Sequence, residues 1–364
     1  MSLWVVVGGQ YGSEGKGKVS AFITKQEDID ICVRCGGPNS GHSLIDDDGK
    51  TIVLRQLPTG FANPRTKLLI PAGALIDPAV LKQEIESLNL PPGRIGVDRK
   101  SFIIEDQDRE KERVLSLRKR LSSTLCGVGA AQSRRVLRSG DAKLAKDVSG
   151  EHPWMSKYLT DVSDEVNTAI DSEKKVLIEG TQGFGLSLYH SEHYPKTTSR
   201  DTTAAGFLSE VGVSPLLAAQ VVVVFRTFPI RVAGEQAGPM RDEISWEQLR
   251  TESRYPYSIE ERTTVTNKIR RVARFDWELA HRAIRNNRPT RIAITGLDYL
   301  SFSNRGVTRF SELEAQARSF VMQAETRLSA PVRYISSGPA MSAMMALPDL
   351  QKSASLESAL EPVL

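Results

Sequence analysis

The segment Gly8–Lys18, GGQYGSEGKGK, follows directly on the apolar run Leu3–Val7 and carries glycines at 12, 15 and 17 with lysines at 16 and 18. Residues without a Cβ let backbone N–H groups approach phosphate oxygens, and an ammonium neutralises their charge, so strand, turn and lysines read as a phosphate cradle. It is not a Walker A loop. Gln10 stands where that pattern has its first glycine, and Gly17 follows Lys16 where Ser or Thr is required. The same residues also fit an ordinary tight turn after a strand. A second loop, RCGGPNSGHS, follows the run Ile29–Val33 and holds Arg34, Asn39, Gly41 and His42. In an open α/β sheet both loops fall at the carboxyl ends of strands, where ligands bind. His42, flanked by small and polar residues, suits an exposed acid or hydrogen-bond donor better than a core histidine.

The elements that must position these loops are short β-rich runs: Lys67–Ile70, Val176–Ile178, Val221–Phe225, Arg291–Ile294 and Val332–Ile335 follow the first two. Helical patterns at Ala79–Leu88, Asp106–Leu121, Phe275–Arg285 and Ser311–Leu328 lie between several of them. This alternation predicts an α/β fold with a mostly parallel central sheet flanked by helices. No linker or internal repeat divides the chain, so one large domain with loop insertions is expected over residues 1–348. The polar residues 349–364 read as a loosely ordered tail.

A chain of 364 residues with 40% hydrophobic content can bury a large core. Its 48 Lys and Arg against 44 Asp and Glu leave a net charge of only +4, scattered in both signs, which speaks against a nucleic-acid partner. Placed cations meeting one phosphorylated metabolite fit that balance better. The apolar stretch Ala218–Phe225 is far short of the roughly 20 residues a membrane span needs, and the amino terminus lacks a signal-peptide pattern. A cytoplasmic enzyme with no membrane partner is therefore expected. Cys32, Cys35 and Cys126 are too few for a disulfide framework, and the CxxC has no second ligand pair for zinc. Two buried thiols in a strand are the simpler reading.

GQYGSEGKGK and NSGHS resemble the two amino-terminal signatures of the adenylosuccinate synthetase family, GQWGDEGKGK and NAGHT. Further segments are similar in the same order: STLCGVGAA, EGTQG, YPKTTSRDTTAAG, TVTNKIRR, TGLDYL and SSGP, spread over nearly the whole chain. The resemblance implies a P-loop NTPase-related fold and a carbon–nitrogen ligase. Such a ligase transfers a γ-phosphoryl group to the 6-oxygen of a purine monophosphate, and aspartate then displaces the phosphate, with Mg²⁺ as cofactor. By the resemblance, Gly12, Glu14, Gly15, Lys16, Gly17 and Lys18 hold the donor phosphates, and Asp298, Ser336, Gly338 and Pro339 hold its base. His42 is the acid at the 6-oxygen, and Lys16 and Gln182 join it in catalysis. Asn39, Thr124, Gln182 and Thr198 hold the monophosphate, completed by Arg138 from a neighbouring subunit, which implies a homodimer. Thr264, Val265, Thr266 and Arg270 receive aspartate, while Gly41 and residue 13 hold the metal.

Departures from the family pattern narrow the substrate. Ser13 stands where the family has an aspartate that serves as base at N1 and as magnesium ligand; a hydroxyl can ligate a metal but is un-ionised at neutral pH. Lys268 replaces an arginine near the substrate ribose, and Asn267 the glycine before it. A shorter residue 13 leaves room for a 2-amino group, and an altered ribose contact hints at a deoxynucleotide. Together these resemble the phage-encoded branch of the family, which joins dGMP to aspartate for 2-aminoadenine DNA and acts in the host cytoplasm. TGLDYLS in place of the family's TKLDVLD loses a lysine at Gly296 and an aspartate at Ser301, which admits ATP or dATP as donor. An IMP enzyme using GTP, with a relocated base, and a non-catalytic purine-nucleotide-binding protein are the alternatives.

Overall fold

Alternation within the first apolar run decides the layering: Leu3, Val5 and Val7 enter one apolar cluster, Trp4 and Val6 another on the opposite face. A strand buried on both faces belongs in the middle of a parallel sheet. The computed structural model describes residues 2–45, 49–217, 220–263 and 267–348. Its main sheet is built from β1 (Leu3–Gly8), β2 (Ile31–Arg34), β3 (Lys67–Ile70), β4 (Ile95–Asp98), β5 (Leu159–Thr160), β6 (Val176–Glu179), β7 (Gln220–Arg226), β8 (Arg291–Thr295), β9 (Val332–Ser336) and β10 (Met344–Ala346). The spatial order is β10-β9-β8-β7-β1-β6-β2-β3-β4-β5. Only β10 runs antiparallel to its neighbour.

Parallel neighbours require crossovers, and helices supply most of them. The helix α1 (Lys16–Gln26) packs Val19 and Ile23 on the Trp4 face, while helices Val162–Asp171, Ala204–Val211, Trp277–Asn287 and Ala315–Leu328 cover the other. The single α/β domain with a mostly parallel sheet is thus as the sequence predicts, and each of the seven expected runs falls on one of its strands, while β4, β5 and β10 were not expected. Asp276 sets the start of the helix expected at Phe275, because its carboxylate accepts hydrogen bonds from the Glu278 and Leu279 amides. The helix expected over Asp106–Leu121 is a correction. It breaks into Asp106–Val114 and Leu117–Leu121, with Ser116 between them in the left-handed region at φ 53°. One left-handed residue turns the chain out of the helical hydrogen-bond path.

Cys32 packs on the Trp4 face and Cys35 on the opposite one, as an offset of three along a strand demands, and burial pushes both thiols well up. The expected tail, residues 349–364, lies outside the described residues. Among those described, no helix is long and apolar enough to cross a membrane. The parallel arrangement brings Gly8, Arg34, Glu179, Arg226, Thr295 and Ser336 together as the carboxyl ends of their strands along one edge.

Candidate active site

At this edge the chain leaves β1 and turns into α1 through residues 9–15, with Gly12 at φ 99° and the cap residue Gly15 at φ 87°. The turn closes around a carboxylate. Glu14 Oε1 accepts the amides of Gln10 and Gly12 at 3.0 and 2.8 Å, and Oε2 accepts from Lys16 Nζ at 2.8 Å. Lys16 also donates to the Gly12 carbonyl at 3.2 Å. Converging amides plus a lysine are the equipment of an anion site, and here the chain's own anion sits on them. Gly183 presses in from the loop after β6; a Cβ there would lie 2.5 Å from Glu14 Oε1 and 2.7 Å from the Gly12 nitrogen.

His42 opens a hairpin, His42–Ile45 with Thr51–Leu54, laid against the start of α1. Its Nδ1 lies 2.5 Å from Oε1 of Glu179, the last residue of β6. Glu179 is fully buried and also accepts from Arg34 at 2.8 Å and from the Thr59 amide and hydroxyl at 2.9 and 2.6 Å. Burial alone would raise the Glu179 carboxyl, but His42, Arg34 and Thr59 outweigh it and hold it below the usual carboxylate range. Burial, then the adjacent Arg34 charge, pushes His42 down to about 4, so its imidazole is neutral at pH 7 with Nδ1–H on the carboxylate. His42 is buried where the sequence suggested exposure, because the hairpin packs it onto α1 and Glu179, and its Nε2 has no partner among the described residues. Sequence reasoning named His42 but missed Glu179 and Thr59. The available signal was a carboxylate ending an otherwise apolar strand.

Beside the phosphate loop an open cleft is lined by Ser13, Asn39, Gly41, Thr124, Gln182, Lys268 and Arg270, residues drawn from five separate sequence motifs. Thr198 lines the adjoining cavity, which shares Asn39, Thr124 and Gln182 with the cleft. Arg270 donates to the Ser13 hydroxyl and, at 3.1 Å, to the Arg262 carbonyl. Arg226, at the end of β7, reaches the Ser13 carbonyl at 3.3 Å and pairs with Glu261, which also accepts from Tyr299 Oη at 2.8 Å. This ion pair, absent from the sequence reading, anchors Glu261 beside the phosphate loop.

The residues expected at the donor base gather around the end of β9. Lys18, buried in α1, donates to Ser336 Oγ at 2.6 Å and to the Gly338 carbonyl at 2.5 Å; burial pushes its ammonium down to about 8. Lys18 thus ties α1 to the loop that follows β9. Asp298 is buried and accepts from Tyr255 Oη at 2.5 Å and Arg305 at 3.3 Å, while Pro339 is exposed. Gly17 packs against His42, its Cβ position 2.7 Å from the histidine's own. Arg138 is exposed and does not reach the cleft of its own chain. Thr264, Val265 and Thr266 lie outside the described residues.

The sequence profile of the adenylosuccinate synthetase family matches residues 5–146 and 141–305 of the chain. The chain belongs to the adenylosuccinate synthetase family. Its relatives include the adenylosuccinate synthetases of Thermococcus onnurineus, 42% identical over 93% of this chain and 96% of that one, and of Methanocaldococcus jannaschii, 43% identical over 93% and 94%. Among solved structures, fully ligated adenylosuccinate synthetase from Plasmodium falciparum shares the fold at TM-score 0.81 and 22% identity, covering 96% of this chain and all of that one. Cyanophage S-2L succinoaminodeoxyadenylate synthetase, bound to dGMP and to dATP as energy donor, aligns at TM-score 0.79 and 25% identity over 99% of both chains. Membership of the adenylosuccinate synthetase family makes the chain a carbon–nitrogen ligase type of enzyme that binds nucleotides and aspartate.

Proposed function

We propose that the chain phosphorylates the 6-oxygen of dGMP with ATP or dATP and lets L-aspartate displace that phosphate. The products are 2-amino-2′-deoxy-N6-succinyladenylate, the nucleoside diphosphate and phosphate, and the nucleotide serves 2-aminoadenine phage DNA. One observation carries the substrate: Ser13 lines the cleft with its hydroxyl against Arg270, so no ionised side chain stands at position 13. Guanine differs from hypoxanthine by a 2-amino donor beside N1, and a short neutral residue leaves space for it where a carboxylate would crowd it. The cyanophage protein bound to dGMP and dATP supports the same direction. An enzyme acting on IMP with GTP is the second reading, favoured by the names of the archaeal relatives.

In this scheme an incoming triphosphate displaces Glu14 from the Gln10 and Gly12 amides and takes Lys16 with it, since phosphate carries more charge than a carboxylate. The same polyanion raises the proton affinity of His42 Nε2, and Glu179 stabilises the imidazolium that donates toward the 6-oxygen. Asn39, Thr124, Gln182 and Thr198 orient the monophosphate, Lys268 lies toward its ribose, and Arg270 receives a carboxylate of aspartate. The oxygens of Ser13 and Gly41 in one cleft, without a cluster of His, Cys, Asp or Glu among the described residues, fit magnesium, which takes few protein ligands and completes its shell with phosphate and water. Bound there, Mg²⁺ would neutralise charge on the transferred phosphoryl group. Arg138, exposed and away from its own cleft, is free to serve a partner chain in a homodimer.

The test is a two-substrate assay with aspartate and each donor. Turnover of dGMP well above IMP is expected; turnover of IMP with dGMP untouched refutes the proposal. Ser13→Asp should shift the dGMP to IMP preference toward IMP by at least about tenfold, roughly one charged hydrogen bond. An unchanged ratio rejects selection at N1 by residue 13.

A further inference from the structure

Among the described residues, the wall of the cleft that gathers Ser13, Asn39 and Thr124 contains no Asp or Glu, yet three cations reach it: Arg118, Lys268 and Arg270. Cationic groups in a concave wall focus the field for an anion; of the three, Arg270 has Glu261 and Glu14 as nearby counter-charges. Arg270 is engaged by Ser13 and the Arg262 carbonyl, and Lys268 sits in the same loop, its amide on Thr263 Oγ1 at 3.0 Å. Arg118 comes from a different element, the helix Leu117–Leu121, and among the described residues its side chain has no ion pair and no hydrogen bond. Its position follows from the break that divides the expected long helix. Leu117–Leu121 is a five-residue helix between two left-handed serines, Ser116 at φ 53° and Ser122 at φ 56°. Leu117 and Leu121 line the adjoining cavity and Arg118 and Ser122 the cleft itself, so this one face of the short helix borders the ligand space on both sides of Thr124.

We infer that Arg118 is a phosphate-binding residue acting within its own chain, taking the 5′-phosphate of the purine monophosphate beside Ser122 and Thr124. A guanidinium presents paired N–H donors that match a phosphate monoester dianion, which explains an unpaired arginine here; Glu112, the carboxylate of the adjoining cavity, is taken up by Ser123 and the Gly127 and Gly129 amides. Each chain then brings its own arginine to the phosphate, in addition to whatever Arg138 of a neighbour contributes. This rests on the assignment of the cleft to a purine monophosphate and is independent of whether that nucleotide is dGMP or IMP.

The experiment uses the full chain with Arg118→Ala and Arg118→Lys. Equilibrium binding is measured for dGMP, IMP, deoxyguanosine and inosine, and KM for aspartate and donor. Arg118→Ala should weaken whichever monophosphate the unmodified protein takes by roughly ten- to a hundredfold while the matching nucleoside and the KM for aspartate change less than about twofold. Arg118→Lys should recover part of the loss, because an ammonium keeps the charge without the fork. Equal losses for nucleoside and monophosphate, a shift confined to aspartate, or unchanged monophosphate binding each overturn the assignment. A protein that takes IMP and ignores dGMP refutes the substrate proposal alone, and Arg118 is then judged on IMP.

Discussion

Glu179→Gln is the most informative single change, because four donors converge on one fully buried carboxylate: His42 Nδ1, Arg34, and the amide and hydroxyl of Thr59. Oε1 accepts from His42 and Arg34, Oε2 from both Thr59 groups, so whichever position the new amide NH₂ takes, it faces a group that can only donate, Arg34 on one side or the Thr59 amide on the other. That buried donor loses its acceptor, at about 1–3 kcal/mol, and where it is Arg34 the Ser40 carbonyl at 3.1 Å is its remaining hydrogen-bond partner among the described residues. Removing one member of a buried ion pair costs about 3–5 kcal/mol. With an unfolding entropy near 2.1 cal/mol/K per residue over the chain, that corresponds to a fall in Tm of about 4–7 °C. The variant also loses the group that fixes Nδ1–H and stabilises an imidazolium, so kcat should drop about a hundredfold or more, with KM for the monophosphate little changed. Differential scanning calorimetry and steady-state kinetics on the same preparation check both effects. A Tm within 1 °C of the parent together with kcat within about threefold would refute the proposed dependence of His42 on Glu179.

Acid should destabilise the protein before its surface carboxylates titrate. The unfolded histidine protonates near 6.5, the folded His42 only near 4, so its contribution is complete above pH 6.5 and is lost as pH falls toward 4, about 3 kcal/mol in all. Urea midpoints across pH 7 to 4 should show this slope, and a His42→Asn variant with the same slope would rule it out. Lys18→Met removes the two hydrogen bonds that tie α1 to Ser336 and Gly338; donor KM should rise about tenfold with monophosphate KM constant, and equal rises in both would count against a donor-specific loop. In Gly183→Ala the new methyl meets Glu14 and the Gly12 nitrogen, which should cost about 1–3 kcal/mol and weaken donor binding ten- to a hundredfold; unchanged donor binding would show that the phosphate loop yields freely.

The sequence by itself determined the sheet and the motif order. Runs such as Lys67–Ile70 became strands because continuous β-branched and leucine-rich segments bury on both faces, a local property that spacing reveals. It also held the family pattern and its departure at Ser13, since these are facts about residue identity alone. What only the tertiary structure decided are the pairings across long separations. Glu179 reads locally as the end of an apolar run, and its meeting with His42, 137 residues away, depends on β6 lying beside β2 in the sheet. The pairing of Arg226 with Glu261 has the same origin: a side chain at the carboxyl end of a central strand meets a loop whose course the strand pattern does not specify. The helix expected over Asp106–Leu121 kept its periodicity through Ser116, because periodicity records which side is apolar and is blind to one left-handed dihedral. That dihedral turns Arg118 from a residue of an exposed basic helix into part of the cleft wall.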